Sequence, residues 1–142
     1  MYEINITPKA TPRPRVKTIF SKKVGKRINA TYYPDEYQAY KDALCLMIKE
    51  LSIESKDYNH LVVRFELPYP KTVVGGKKMK IEGKLHKKKP DLDNIIKGFM
   101  DGLTQSGVLL TDDSSVGFVQ MMKVYTTNDI GSIKFKLSVY EG

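Results

Sequence analysis

The stretch KPDLDNIIKGFMDGLTQSGVLLTDDSSV, residues 89–116, decides the fold. Just after Pro90, Asp93 stands as the natural N-cap of a helix over residues 94–106, because a carboxylate there can accept a first-turn backbone N–H. Ile95 or Ile96, then Phe99, Met100 and Leu103 recur at helical spacing and form an apolar stripe. Gly107 is placed to end that helix as its C′ residue. Lys97 lies four residues after Asp93 and Asp101 four further on, so the three share one helix face. The short apolar run VLL then leads to Asp112 and Asp113, at the edge of the next strand.

Working outward, residues 116–126 and 132–140 read as strands. In IKFKLSVY, Ile133, Phe135, Leu137 and Val139 alternate with Lys134, Lys136, Ser138 and Tyr140. Upstream, HLVVRFEL (60–67) alternates as a strand and stops at Pro68 and Pro70. Residues 35–51 predict a helix: it follows Pro34, carries Asp35 and Glu36 in its first turn, and aligns Tyr37, Tyr40, Leu44, Met47, Ile48 and Leu51. YEINI (2–6) is a short strand. Between them, residues 7–34 hold prolines at 8, 12, 14 and 34, which argue against a long regular element. Residues 71–90, rich in lysine and glycine, read as a mobile excursion; Gly75-Gly76-Lys77-Lys78 lacks the spacing and the Ser/Thr of a phosphate-binding loop. The order β-α-β-loop-α-β-β predicts one α+β domain over residues 1–142, with a mixed sheet and two main helices.

Charge is divided unevenly along the chain. Residues 1–90 carry 20 Lys and Arg against 9 Asp and Glu, whereas residues 91–142 carry 4 against 7, within a total of +8. A basic body joined to an acidic segment suits a polyanion-binding surface built around carboxylates. Arg13, Arg15, Lys17, Lys22 and Lys23 in the first basic segment, and Lys84, Lys87, Lys88 and Lys89 in the second, are the expected phosphate contacts; Tyr32 and Tyr33 can stack on unpaired bases.

Other chemistries are excluded by composition. Cys45 is a lone cysteine in an apolar run and reads as a buried small hydrophobe. With only His60 and His86 beside it, a zinc set or a Cys–His catalyst is out of reach. No stretch approaches a membrane span or a signal sequence, so the expectation is a cytoplasmic protein. An EF-hand reading of DLDN fails, since Ile96 stands where glycine is required.

Two readings of the acidic residues remain open on spacing. The bland one takes Asp91 and Asp93 as capping residues, Asp112-Asp113 as an ordinary turn, and Asp93, Lys97 and Asp101 as a surface ladder of little energetic worth. The sharper one notes that Asp91, Asp93 and an aspartate of the 112–113 turn can hold Mg²⁺, with Lys97 beside them to offset developing charge.

Residues 90–116 closely resemble the RusA family of Holliday junction resolvases, through PDLDNIIK, then DGLTQSG, then DDSSV. PRPRVK (12–17) and YYPDEYQAYKD (32–42) resemble the basic loop and first helix of one branch of that family. The resemblance implies that Asp91 and Asp93 are metal-binding aspartates, that Lys97 is required for cleavage, and that Asp113 is the third carboxylate. The stretch between Gly107 and the acidic pair is one residue longer than the family pattern, which keeps Asp112 as the alternative ligand. It further implies Mg²⁺ as cofactor, with Mn²⁺ able to substitute, and a homodimer that resolves four-way DNA junctions by paired symmetric nicks in recombination and repair. Beyond branched DNA and its own second copy, no partner is implied. A non-catalytic branched-DNA binder is the alternative, and a flap or single-strand nuclease using the same residues is the third reading.

Overall fold

The computed structural model describes residues 1–70 and 81–142. Residues 71–80 lie outside the described residues; they contain the Gly75–Lys78 stretch and the first half of the expected mobile excursion. The described elements are strands β1 (Tyr2–Ile4), β2 (Arg15–Ser21) and β3 (Lys26–Tyr32), helix α1 (Asp35–Glu50), strand β4 (His60–Pro68), helix α2 (Leu92–Gln105), a 3₁₀ turn (Asp113–Ser115), and strands β5 (Phe118–Thr126) and β6 (Ser132–Ser138).

Alternation along the strands builds the core. Leu61, Val63, Phe65 and Leu67 of β4, Ile133, Phe135 and Leu137 of β6, and Ile4 of β1 are buried in one cluster with residues of both helices. The sheet order is β1-β6-β4-β5. Central β4 runs parallel to β5, with Leu61 beside Val119, and antiparallel to β6, with Leu61 beside Leu137. The sheet is therefore mixed, and the α+β expectation with two main helices holds. α1 buries Tyr37, Tyr40, Leu44 and Ile48. α2 buries Ile95, Phe99, Met100 and Leu103. Phe99 sits edge-on to both Phe65, at 6.1 Å, and Phe135, at 5.0 Å, which locks α2 to the sheet.

Three expectations are corrected. Residues 7–34 contain a regular element after all: β2 and β3 form an antiparallel hairpin, Arg15 opposite Tyr32 and Ser21 opposite Lys26. The prolines bracket this segment, at 14 and 34, and leave the interior free for Val16, Thr18, Ile19, Ile28 and Thr31, residues that favour strands. The element order thus opens with three strands before α1. Asp93 is not the N-cap; α2 starts two residues earlier, which puts Asp91 at the cap position and Asp93 in the first turn. Cys45 is half-buried rather than buried. At the far end of α2, Gly107 takes the left-handed conformation expected of a C′ glycine (φ +80°).

Candidate active site

The start of α2 presents two carboxylates that have no bonding partner among the described residues. Asp91 has extended backbone (φ −73°, ψ 146°), and its side chain makes no capping hydrogen bond. Asp93 follows inside the first turn, and Lys97 stands one turn on; all three are exposed. Among the described residues their side chains have no hydrogen-bond or ion-pair partner. Asp101 differs. It pairs at 3.5 Å with Lys41, a buried lysine of α1 whose ammonium also lies over the Tyr33 ring. The surface ladder Asp93–Lys97–Asp101 is thus not formed, and Asp101 ties the two helices together.

The acidic turn separates its two aspartates in the same way. Asp112 Oδ1 accepts the Ser114 N–H at 2.8 Å and also the Ser114 hydroxyl. These bonds, the hydroxyl's first, hold the Asp112 carboxyl below the usual aspartate range. Asp113 opens the 3₁₀ turn, is exposed, and has no side-chain partner among the described residues. The turn packs against α2. Among the described residues no three His, Cys, Asp or Glu side chains stand close enough together to hold a metal ion. Hard carboxylate oxygens without protein partners are nonetheless the donors Mg²⁺ takes, one or two at a time, with waters and substrate phosphates filling the other positions.

Asp91 lies in an open groove lined by Lys9, Ala10, Lys89, Pro90 and Asn94. A second hollow shares Lys9 and Ala10 and runs on to Pro12, Arg15 and Pro34 at the base of the hairpin. Long-range bonds hold these walls. Thr11 donates both its backbone N–H (3.1 Å) and its hydroxyl (2.9 Å) to the Asn94 carbonyl, and its Oγ1 stands 2.8 Å from the Tyr37 hydroxyl. On the other side Lys123 of β5 donates to the Pro90 carbonyl (2.7 Å) and to the Lys88 carbonyl. Neither Thr11 nor Lys123 was legible as a positioning residue, because each works on a segment more than thirty residues away. Every expected phosphate contact (Arg13, Arg15, Lys17, Lys22, Lys23, Lys84, Lys87, Lys88 and Lys89) is exposed. Tyr32 is exposed, with Lys17 above its ring at 5.2 Å, whereas Tyr33 packs edge-on to Tyr37.

The segment ahead of Asp91 carries a buried histidine. His86 is buried, donates its backbone N–H to Lys123, and lies against Tyr125 with ring centres 4.5 Å apart. Burial lowers its pKa, and the Lys123 charge adds to this; the bond to the Lys88 carbonyl opposes. The unfolded chain therefore takes up a proton near the ordinary value of about 6.5, before the folded chain does, and folding stability declines as pH drops through that value. Thermal unfolding of His86→Gln across this range is expected to lack that part of the decline, so the two Tm curves converge toward acid; parallel curves would remove His86 from the acid response.

Comparison with known proteins bears on nearly the whole chain. No curated protein matches it. The family model described as endodeoxyribonuclease RusA matches residues 5–135, from the end of β1 through the hairpin, both helices and the acidic turn into β6. The chain that carries Asp91, Asp93, Lys97 and Asp113 on these elements belongs to the RusA endodeoxyribonuclease family.

Proposed function

We propose that this protein is a Mg²⁺-dependent, structure-selective endodeoxyribonuclease that resolves four-way DNA junctions by paired symmetric nicks, in recombination and repair. The observation that carries this reading is the division among the candidate acids. Asp101 and Asp112 are engaged by Lys41 and Ser114, while Asp91, Asp93 and Asp113 have no partner among the described residues. Of these, Asp91 lines a groove walled by Lys9 and Lys89, and exposed carboxylates without partners contribute little to folding beyond their interaction with the helix N-terminus. A pure DNA binder gains nothing from them either, since they repel phosphate.

The reaction is hydrolysis: a water oxygen bonds to phosphorus, one bridging P–O bond breaks, and the departing deoxyribose oxygen takes a proton. Asp91 and Asp93 would supply carboxylate ligands to the divalent ion on which RusA enzymes generally depend, with waters and substrate phosphate in its other positions; Asp113 is the third carboxylate that the family resemblance implies, although no three such side chains stand within reach of one ion among the described residues. When bound, such an ion polarises the phosphate and lowers the pKa of an attached water. Lys97, on the same face of α2 as Asp93, offsets charge on the phosphate oxygens. Lys89 holds a flanking phosphate across the groove from Lys9, whose ammonium pairs with Glu36 at 2.9 Å, and the exposed lysines and arginines of residues 13–23 and 84–89 grip the arms. The N-terminus of α2 adds its partial positive charge at the same place.

A homodimer acting in the cytoplasm completes the reading. A four-way junction has near two-fold symmetry, so two identical sites related by a two-fold axis meet opposing strands. The outer edge of β5 supports this, because among the described residues it is bridged only near Val124, by Leu85. The remainder of that edge exposes Phe118, Val119, Met121 and Met122.

The deciding test is incubation of the purified chain with a labelled four-way junction and a matched linear duplex, in Mg²⁺, in Mn²⁺ and in EDTA. Symmetric nicks confined to the junction and abolished by EDTA are expected. Tight junction binding without cutting in either metal would instead establish a non-catalytic binder.

A further inference from the structure

Among the described residues the hairpin of β2 and β3 pairs with no other strand, and no residue from 15 to 32 is buried. Seven residues per strand give it a reach of about 23 Å. Its turn has a defined shape: the Gly25 N–H donates to the Ser21 carbonyl at 2.8 Å, and Gly25 takes a left-handed conformation (φ +71°) that favours glycine. At this end Phe20 is 63% exposed and Val24 56% exposed. Most of the surface of these two side chains faces water, so a ligand that covers them gains apolar burial that the hairpin itself does not supply.

Charge says which ligand. Residues 15–32 carry Arg15, Lys17, Lys22, Lys23, Lys26 and Arg27 and no Asp or Glu. A second copy of a chain with net charge +8 repels such an arm, whereas DNA attracts it. Phe20 lies directly opposite Arg27 in the ladder, so an aromatic ring and a guanidinium share one face at the tip. The base of the ribbon, at Arg15, borders the hollow that continues into the Asp91 groove.

We propose that the hairpin tip is a branch-point reader: Phe20 stacks on a base left unstacked at the centre of a DNA junction, Val24 packs beside it, and Lys22, Lys23 and Arg27 hold the adjoining phosphates. This rests on the junction-nuclease reading above. A two-stranded ribbon fits a DNA groove, and apolar wedges on DNA-binding proteins are known to enter base steps. In a continuous duplex the wedge must first break a stack, which costs binding free energy. At a branch point that stack is already broken, so the ring discriminates junction from duplex without reading sequence.

The test uses the full chain in EDTA, so that nothing is cut, with 2-aminopurine at the branch point of a four-way junction and at the matching position of a duplex. Binding of the unaltered chain is expected to change the junction probe's fluorescence and leave the duplex probe's unchanged. Phe20→Ala should lose that change and bind the junction about 10-fold more weakly, with duplex affinity and salt dependence intact. Phe20→Trp should restore both. Lys22→Ala with Lys23→Ala should keep the fluorescence change and reduce the salt slope by about 2. An undiminished signal in Phe20→Ala, or an equal loss of junction and duplex binding, would overturn the inference. So would a dimer-to-monomer shift in sedimentation on Phe20→Ala, which would assign the tip to a second copy. An unaltered chain that binds no junction would sink the nuclease reading as well; one that binds and cuts junctions without any dependence on Phe20 would sink this inference alone.

Discussion

Asp91→Asn is expected to lower junction cleavage by about 10³-fold or more while leaving junction binding in EDTA unchanged or tighter. The amide keeps the size and shape of the carboxylate but removes the charge that a divalent ion needs, and metal polarisation of a phosphate is worth several kcal/mol. Binding improves or holds because a negative charge facing the phosphates, in the groove with Lys9 and Lys89, has gone. Stability should stay within about 0.5 kcal/mol, since the Asp91 side chain is exposed and makes no bond among the described residues. The same comparison separates the two aspartates of the acidic turn. Asp113→Asn should behave like Asp91→Asn. Asp112→Asn should retain most activity, because an asparagine oxygen still accepts the two Ser114 bonds. A dead Asp112→Asn beside an active Asp113→Asn would exchange their roles, and persistent cleavage by Asp91→Asn would move the site elsewhere.

Phe99→Ala carries the largest expected loss of stability, about 3–5 kcal/mol. Phe99 is fully buried and contacts rings on two different strands, so truncation leaves a cavity where α2 meets the centre of the sheet. Against the 5–15 kcal/mol of a typical domain this is a large share, and Tm should fall by roughly 10–15 °C. Phe99→Leu should recover much of the loss, whereas Lys97→Ala, two residues away but exposed, should abolish cleavage with Tm almost unchanged. Equal melting of Phe99→Ala and the unaltered chain would mean that α2 is not held by this contact. A thermally normal Phe99→Ala that had nonetheless lost all activity would give Phe99 a different role.

The sequence by itself determined the elements that bury one face. Ile95, Phe99 and Leu103 at helical spacing, and Ile133, Phe135 and Leu137 at alternate positions, can satisfy hydrophobic burial in only one local geometry each. Residues 90–97 and 112–116 also carry the family signature, and with it the proposal of Asp91, Asp93, Lys97 and the acidic pair as site residues. Two local readings failed for local reasons. The hairpin is not legible in the sequence because it buries nothing: charge interrupts its apolar pattern, and the flanking prolines argue for a break. Capping propensity does not distinguish Asp91 from Asp93, two positions apart, so the sequence points to Asp93 where the structure puts Asp91 at the cap position.

What only the tertiary structure decided is which acids are free. Lys41 claims Asp101 from another helix, and Thr11 reaches the Asn94 carbonyl across 83 positions of sequence. Lys123 comes from a strand formed after both acidic segments to fix the Pro90 carbonyl beside Asp91. Such bonds depend on where strands and helices lie once the sheet has assembled. Spacing along the chain encodes one element's periodicity, but the neighbours of a side chain across the core are set by packing among all of them.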